Sequence, residues 1–240
     1  MSDTTTRTRR ANQLREVTIE PYPTAAPGSV IITQGQTRVL CTASLSLDVP
    51  PFIGRDEDGI AEQGWVTAEY AMHPASTPER KRRGTDSRAT ELKRLIARAL
   101  RAAVDLQKMP GVSITCDCDV LHADGGTRTA SITGAYVALA RAVEAARRDG
   151  FIKANPIIGP VAAVSVGIVD GKHYLDLDYE LDSTAEVDMN VVMNHRRQFI
   201  EIQGTGEQIA FDRDQLDKML DLAGRGIRKL IQTQRAALRQ

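Results

Sequence analysis

The chain has 240 residues, enough for one large domain or two small ones, and its 42% hydrophobic content is enough to bury a sizeable core. Its 31 basic and 31 acidic residues cancel, so no global field draws it to nucleic acid and any polyanion site must come from local clustering. Three cysteines, an odd number with no CxxC pair, argue against a disulfide framework or a zinc site and fit a reducing, cytoplasmic compartment.

Residues 1–10 are polar and basic, lack the apolar segment of a signal peptide and are expected to form a frayed tail. No apolar run approaches membrane-spanning length. Residues 17–20, 29–34 and 38–47 are rich in β-branched and apolar side chains between turn signals, and are predicted strands. Residues 49–63 carry prolines and glycines among acids and read as a surface loop, 64–72 as a further strand, and 74–87 as a basic, mobile loop. Leu92, Leu95, Ile96, Ala99, Leu100, Ala103 and Val104 repeat at helical spacing and predict a helix over 88–106. A strand over 112–120 and a helix over 129–148 come next. Four antiparallel strands are expected over 161–169, 172–179, 188–193 and 199–203, with Asp170-Gly171 as a hairpin turn. A last helix begins near Asp212 or Asp214 and buries the stripe from Leu216 to Ile231. This order is an α+β pattern without regular βα alternation, and no linker divides it, so a single compact domain is expected.

The run Asp124-Gly125-Gly126-Thr127-Arg128 joins a predicted strand to a predicted helix. Free N–H groups and the positive end of the helix dipole favour an anion there, and Arg128 adds a donor fork suited to phosphate oxygens. The plain alternative is a Gly-Gly turn with a capping threonine. Asp182 and Asp188 would lie about 20 Å apart on one extended strand. Only a turn across Ser183-Thr184-Ala185 brings them together, and two converging carboxylates then suit Mg²⁺. Otherwise they are solvated turn residues. Asp176 and Asp178 are either support for this pair or the polar face of the neighbouring strand.

Between residues 79 and 101 nine cations stand against three acids. Arg80, Lys81, Arg82 and Arg83 form a loop cluster open to phosphate-backbone contact, with a solvated loop or a subunit interface as the plain alternative. Arg94, Arg98 and Arg101 form a helical stripe that favours ion pairs or an interface. His73, His122, His173 and His195 have no metal-ligand spacing. Gln203-Gly204-Thr205-Gly206 reads as a turn that ends a strand.

Several segments coincide with one family. Asn12 to Arg15, Val39 to Ser44, Gly64 to Tyr70, Arg94 to Ile96 with Arg101 to Leu106, Cys116 to Val120, Ala123 to Gly134, Ala162 to Gly167 and Asp188 to Val192 resemble ribonuclease PH, a family of phosphate-dependent 3′-exoribonucleases. The resemblance implies a ribosomal-protein-S5-domain-2-like α+β fold and a homohexameric ring built as a trimer of dimers. It also implies trimming of transfer RNA precursors and other RNA 3′ ends, with reversible nucleotide addition. It places phosphate binding on Arg88, Gly126, Thr127 and Arg128, metal binding and catalysis on Asp182 and Asp188, and RNA contact on Arg80, Arg82 and Arg83. The implied cofactor is Mg²⁺, with inorganic phosphate as co-substrate. Three departures stand out: Ser87 replaces the usual glycine before Arg88, Leu181 replaces a glutamate before Asp182, and an arginine is missing near Ala75-Ser76. A silent RNA-binding ring subunit and a hydrolytic nuclease are the competing readings.

Overall fold

The computed structural model describes residues 9–84 and 87–240; most of the expected tail, and two residues of the basic loop, lie outside them. Two sheets sandwich a central helix. The first has five strands in the order β1-β2-β3-β5-β4: β1 (Val17–Pro21), β2 (Gly28–Gln34), β3 (Thr37–Ser46), β5 (Ser113–His122) and β4 (Trp65–Met72). Only β4 runs parallel to its neighbour, and the other pairings are antiparallel. The second sheet is antiparallel, in the order β7-β6-β8-β9: β7 (Lys172–Leu175), β6 (Val161–Val169), β8 (Val187–Asn194) and β9 (Phe199–Gly206).

Alternation sets the first sheet. Ile114, Cys116, Cys118 and Val120 of β5 are buried, while Ser113, Thr115, Asp117 and Asp119 stand on the other face, half-buried. Helix α1 (Ser87–Arg101) lays Leu92, Leu95, Ile96, Ala99 and Leu100 on the core. It ends earlier than its periodicity suggests, because residues 102–105 leave the helix and Leu106–Lys108 form a separate 3₁₀ turn.

Helix α2 (Thr127–Arg148) is buried without a break from Thr129 to Leu139. An element covered on all sides shows little amphipathic pattern, and that is why its small, uncharged residues suit it. They let backbones meet: a Cβ at Gly28 would run into the Ala138 carbonyl, and one at Gly134 would sit 2.8 Å from both Cys41 Sγ and Ile32 Cγ2. One core joins α1, α2 and the first sheet, and takes in Val161, Ala163 and Val192 of the second. A second core lies between the opposite face of the second sheet and α4 (Arg213–Ala237). Strand β6 is therefore buried along its whole length. Helix α4 starts with a capping box in which Asp212 accepts from the Gln215 N–H and the Gln215 side chain accepts from the Asp212 N–H.

Two expected elements differ. The predicted strand over 172–179 stops at Leu175, because Asp176 turns the chain at φ 61°. The short helix α3 (Tyr179–Thr184) follows, with the Asp178 side chain capping the Leu181 N–H. The Gln203-Gly204-Thr205-Gly206 run belongs to β9 and is not a turn.

Candidate active site

Strand β5 delivers the chain to Asp124, and α2 carries it away from Thr127. Gly125 and Gly126 both have left-handed backbones, at φ 70° and 68°, which glycine adopts without strain. Gly126 is the N-cap, so the helix begins two residues before the predicted Thr129. The first-turn N–H groups have no partners within the helix and face outward, next to Thr127 and Arg128. Gly125 also lies close to the α3 entry, where a Cβ would come within 2.5 Å of the Asp178 carbonyl carbon. Gly125→Ala thus combines a disfavoured backbone with a backbone clash. We expect it to cost at least about 2 kcal/mol in denaturant unfolding and to remove most activity; a variant with wild-type midpoint and turnover would show that the turn tolerates bulk.

The turn is held from beneath by residues that periodicity did not single out. Arg15 donates to the carbonyls of Asp124 (2.5 Å), Gly125 (3.4 Å) and Leu177 (3.4 Å). Its guanidinium also bonds both oxygens of Asp176, at 3.1 and 2.7 Å. Asp176 accepts further bonds from the Arg15 N–H and the Gln34 amide. Arg9 contributes as well, donating to the carbonyls of Leu175 and Asp176 and to the Asp178 carboxylate. Thr37 donates to the Gly125 carbonyl and accepts from the Asp124 N–H. Asp176 is therefore structural support, and Asp178 is a helix cap.

Thr127 shares a 2.9 Å hydrogen bond with the Tyr70 hydroxyl. Burial raises the Tyr70 pKa, against the Thr127 hydrogen bond and the Arg88 charge, which lower it. The phenol stays protonated at neutral pH, so when it donates to Thr127 the threonine proton is free for an anion. Arg128 donates to Gln203 Oε1 at 3.0 Å, and the Gln203 amide nitrogen donates to Glu201, which pairs with Arg98 at 2.8 Å. Gln203 thereby aims Arg128 across from β9.

Asp182 sits in α3 and Asp188 near the start of β8. The chain between them is the end of α3, Ser183 and Thr184, followed by its C-cap Ala185 and a bend at Glu186, so the expected turn across 183–185 is the exit of a short helix. The two groups influence one another: burial and then the Asp182 charge push Asp188 up to about 6, with Arg128 and Arg88 opposing. Asp182 keeps solvent access, yet the protein around it raises its pKa by desolvation, offset by Arg128 and Arg88. Both carboxyl groups thus lie within electrostatic reach of Arg128 and Arg88. Arg88, the second residue of α1 after Ser87, is exposed at its rim. Asp188 pairs across the sheet with Gly167 and Thr205, and its Oδ1 is buried with no partner. A buried, unpaired carboxylate oxygen beside a second carboxylate fits a small hard cation that keeps most of its other ligands as water or phosphate oxygens. Among the described residues no set of three or more His, Cys, Asp or Glu forms a metal cage.

Leu181 is buried in a small cluster with Val169, Leu177 and Ala185. It anchors α3 in that cluster. Ser76 lies buried in a turn whose carbonyl accepts the Ala123 N–H. Arg80, Arg82 and Arg83 are exposed. The helical stripe divides: Arg98 forms its ion pair, Arg101 lies 4.6 Å over the Trp65 ring, and Arg94 is exposed. His122 bonds the Gln36 carbonyl rather than the site.

The sequence pattern of the 3′ exoribonuclease family, domain 1, matches residues 13–143, and that of its domain 2 matches 159–226. Ribonuclease PH of Corynebacterium efficiens is 52% identical over 96% of this chain and 94% of its own length. Ribonuclease PH of Bacillus pumilus is 50% identical over 95% of each. The fold is shared with the Archaeoglobus fulgidus exosome with RNA bound to the active site, at TM-score 0.77 and 23% identity over 92% of this chain and 89% of that one. It is shared also with rice Rrp46, at TM-score 0.78 and 17% identity over 96% and 98%. With the fold, the extent of these matches and their identities in agreement, the chain belongs to the 3′ exoribonuclease family, among the ribonucleases PH.

Proposed function

We propose that this chain is a phosphate-dependent 3′-to-5′ exoribonuclease that trims transfer RNA precursors and releases nucleoside diphosphates. The observation that carries the reading is the meeting of an anion cradle with a carboxylate pair. A hydrolase needs the carboxylates to ready a water, but has no use for a second anion site.

In this reading Arg88, Arg128, the Thr127 hydroxyl and the N–H groups at Gly126 hold inorganic phosphate beside the terminal phosphodiester. A phosphate oxygen attacks phosphorus, and the bond to the preceding 3′ oxygen breaks. The terminal nucleotide leaves as a diphosphate and the shortened RNA regains its 3′ hydroxyl. No protein nucleophile is required, and the same site supports the reverse addition. Mg²⁺ held by Asp182 and Asp188 would stabilise charge on the reacting phosphoryl group and leaving oxygen. Arg80, Arg82 and Arg83 would contact the RNA backbone upstream. The working unit in this reading is a cytoplasmic homohexamer, a trimer of dimers. Three free, buried cysteines support a reducing compartment.

The test incubates the protein with transfer RNA carrying extra 3′ nucleotides and Mg²⁺, with and without inorganic phosphate. Phosphate-dependent release of nucleoside diphosphates is the expected result. Monophosphates released without phosphate would make the enzyme a hydrolase, and intact RNA bound without release would make it a silent scaffold. Arg128→Ala should raise the KM for phosphate about 10–100-fold, as expected for losing a charged hydrogen-bonding pair. Gln203→Ala should raise it less, because Arg128 remains but is no longer aimed. Unchanged phosphate dependence in Arg128→Ala would remove Arg128 from the cradle.

A further inference from the structure

A second cationic surface lies away from this site. Two adjoining grooves, of about 570 and 810 Å³, run between the segment that enters β1, strand β7 and helix α4. They share Arg10, Asn12 and Arg225 in their linings. Lys172 and Lys218 line the first, and Arg228 and Lys229 line the second. Asp221 is the one acid among the residues that form these walls. All six cations are exposed, and among the described residues none of the six forms an ion pair. In a chain whose charges sum to zero, such a grouping is a local field and not a consequence of composition. The field reaches the groove wall: the pKa of His173 is lowered by burial and then by the Lys218 charge.

Placement separates the groove from the reacting groups. On β8 the side chains of Met189, Val191 and Met193 face α4 within the second core, and Asp188, one residue out of phase, stands on the other face. The groove therefore borders the α4 side of the sheet, and Asp188 stands on the opposite face. Strand β7 is an edge strand, so no further strand blocks the way around it. In the proposed reading a short single-stranded tail enters the site and leaves the groove free. A rigid body attached to that tail can lie along it. Lys218 to Lys229 spans about 16 Å of helix axis, enough to follow several phosphates. The exposed ends are long and flexible, which suits backbone contact rather than base reading. Duplex RNA is held in this way, through phosphates and shape.

We propose that the groove of Arg10, Lys172, Lys218, Arg225, Arg228 and Lys229 binds the phosphate backbone of a duplex segment upstream of the RNA 3′ end. It rests on the reading that the chain acts on RNA 3′ ends, and extends it. The groove favours structured substrates, such as a stem with a short 3′ tail, over unstructured RNA.

The test uses the full chain carrying Lys218→Gln, Arg225→Gln and Arg228→Gln together, exposed changes on one helix face. Two probes are compared over a range of salt: a hairpin RNA with a short 3′ tail, and a single-stranded oligonucleotide of the tail sequence. The triple variant should bind the hairpin about tenfold or more weaker at low salt. Its plot of log affinity against log salt should be shallower by up to about 3, near one unit for each cation removed. Affinity for the short oligonucleotide and its turnover should stay at wild-type values. Unchanged hairpin affinity and slope would overturn the proposal. A shift in sedimentation of the variant would also overturn it, by assigning this face to a second copy of the chain. If the wild type binds the hairpin but turns over neither probe, the enzymatic reading fails, and the binding comparison still decides the groove.

Discussion

Asp188→Asn loses turnover by roughly a thousandfold or more, the scale on which removing a group that stabilises transition-state charge acts, while RNA binding stays within about threefold. The asparagine keeps the volume of the carboxylate and removes its charge from a position where Oδ1 is buried and unpartnered. Asp182→Asn should act in the same direction and less severely, because that side chain is more open to solvent. Turnover is measured with saturating phosphate and RNA, and binding by anisotropy with a short oligonucleotide. A fully active Asp188→Asn enzyme would exclude a metal-binding role for this residue.

The same substitution carries a pH signature in metal-free protein. Burial and Asp182 raise the Asp188 carboxyl from 3.8 to about 6, so the folded state holds its proton more tightly than the unfolded state. The stability this provides is fully present below about pH 4. It is lost as pH rises through 6, for a total of about 3 kcal/mol. Metal-free protein should therefore become less stable between pH 4 and 7, Asp188→Asn should flatten that slope, and Mg²⁺ should restore stability at pH 7. Equal slopes in both proteins would mean that Asp188 ionises as freely folded as unfolded.

How far the sequence foretold this site depended on whether each signal was local. The Gly-Gly turn was legible, because two glycines between a strand pattern and a helix pattern carry a local conformational demand. Helix α3 was not: six residues are too few to show a helical period, and the alternation of residues 172–175 invited a longer strand. Its cues are Asp178 as a cap and the buried Leu181, and both became readable only when Asp176 was seen to turn the chain. The site's supports were the least legible. Arg15 and Asp176 are separated by 161 positions, and Tyr70 and Thr127 by 57, so nothing in a local window pairs them. Family resemblance named candidate contact residues but did not explain what holds them.

That support gives the second large effect. The Arg15 side chain is 7% exposed and Asp176 is fully buried, with oxygen and nitrogen 2.7 Å apart. Burial lowers the Arg15 pKa, but hydrogen bonding to Asp176 and its charge more than offset it, so the guanidinium stays charged in the interior. Asp176→Asn leaves that buried charge with only the longer pair to Asp124, at 3.7 Å. We expect a loss of about 3–5 kcal/mol in denaturant unfolding, although asparagine tolerates the left-handed backbone at this position. Catalysis should fall beyond what unfolding explains, because Arg15 also fixes the Asp124 and Gly125 carbonyls. Replacing both partners, Arg15→Met with Asp176→Asn, should recover part of the lost stability, since the buried charge is gone. It should not recover the phosphate KM, since nothing then fixes the turn. That split between stability and KM distinguishes a support of the anion cradle from a core ion pair that serves only folding. If the double variant recovers both together, the pair contributes nothing to the geometry of the cradle.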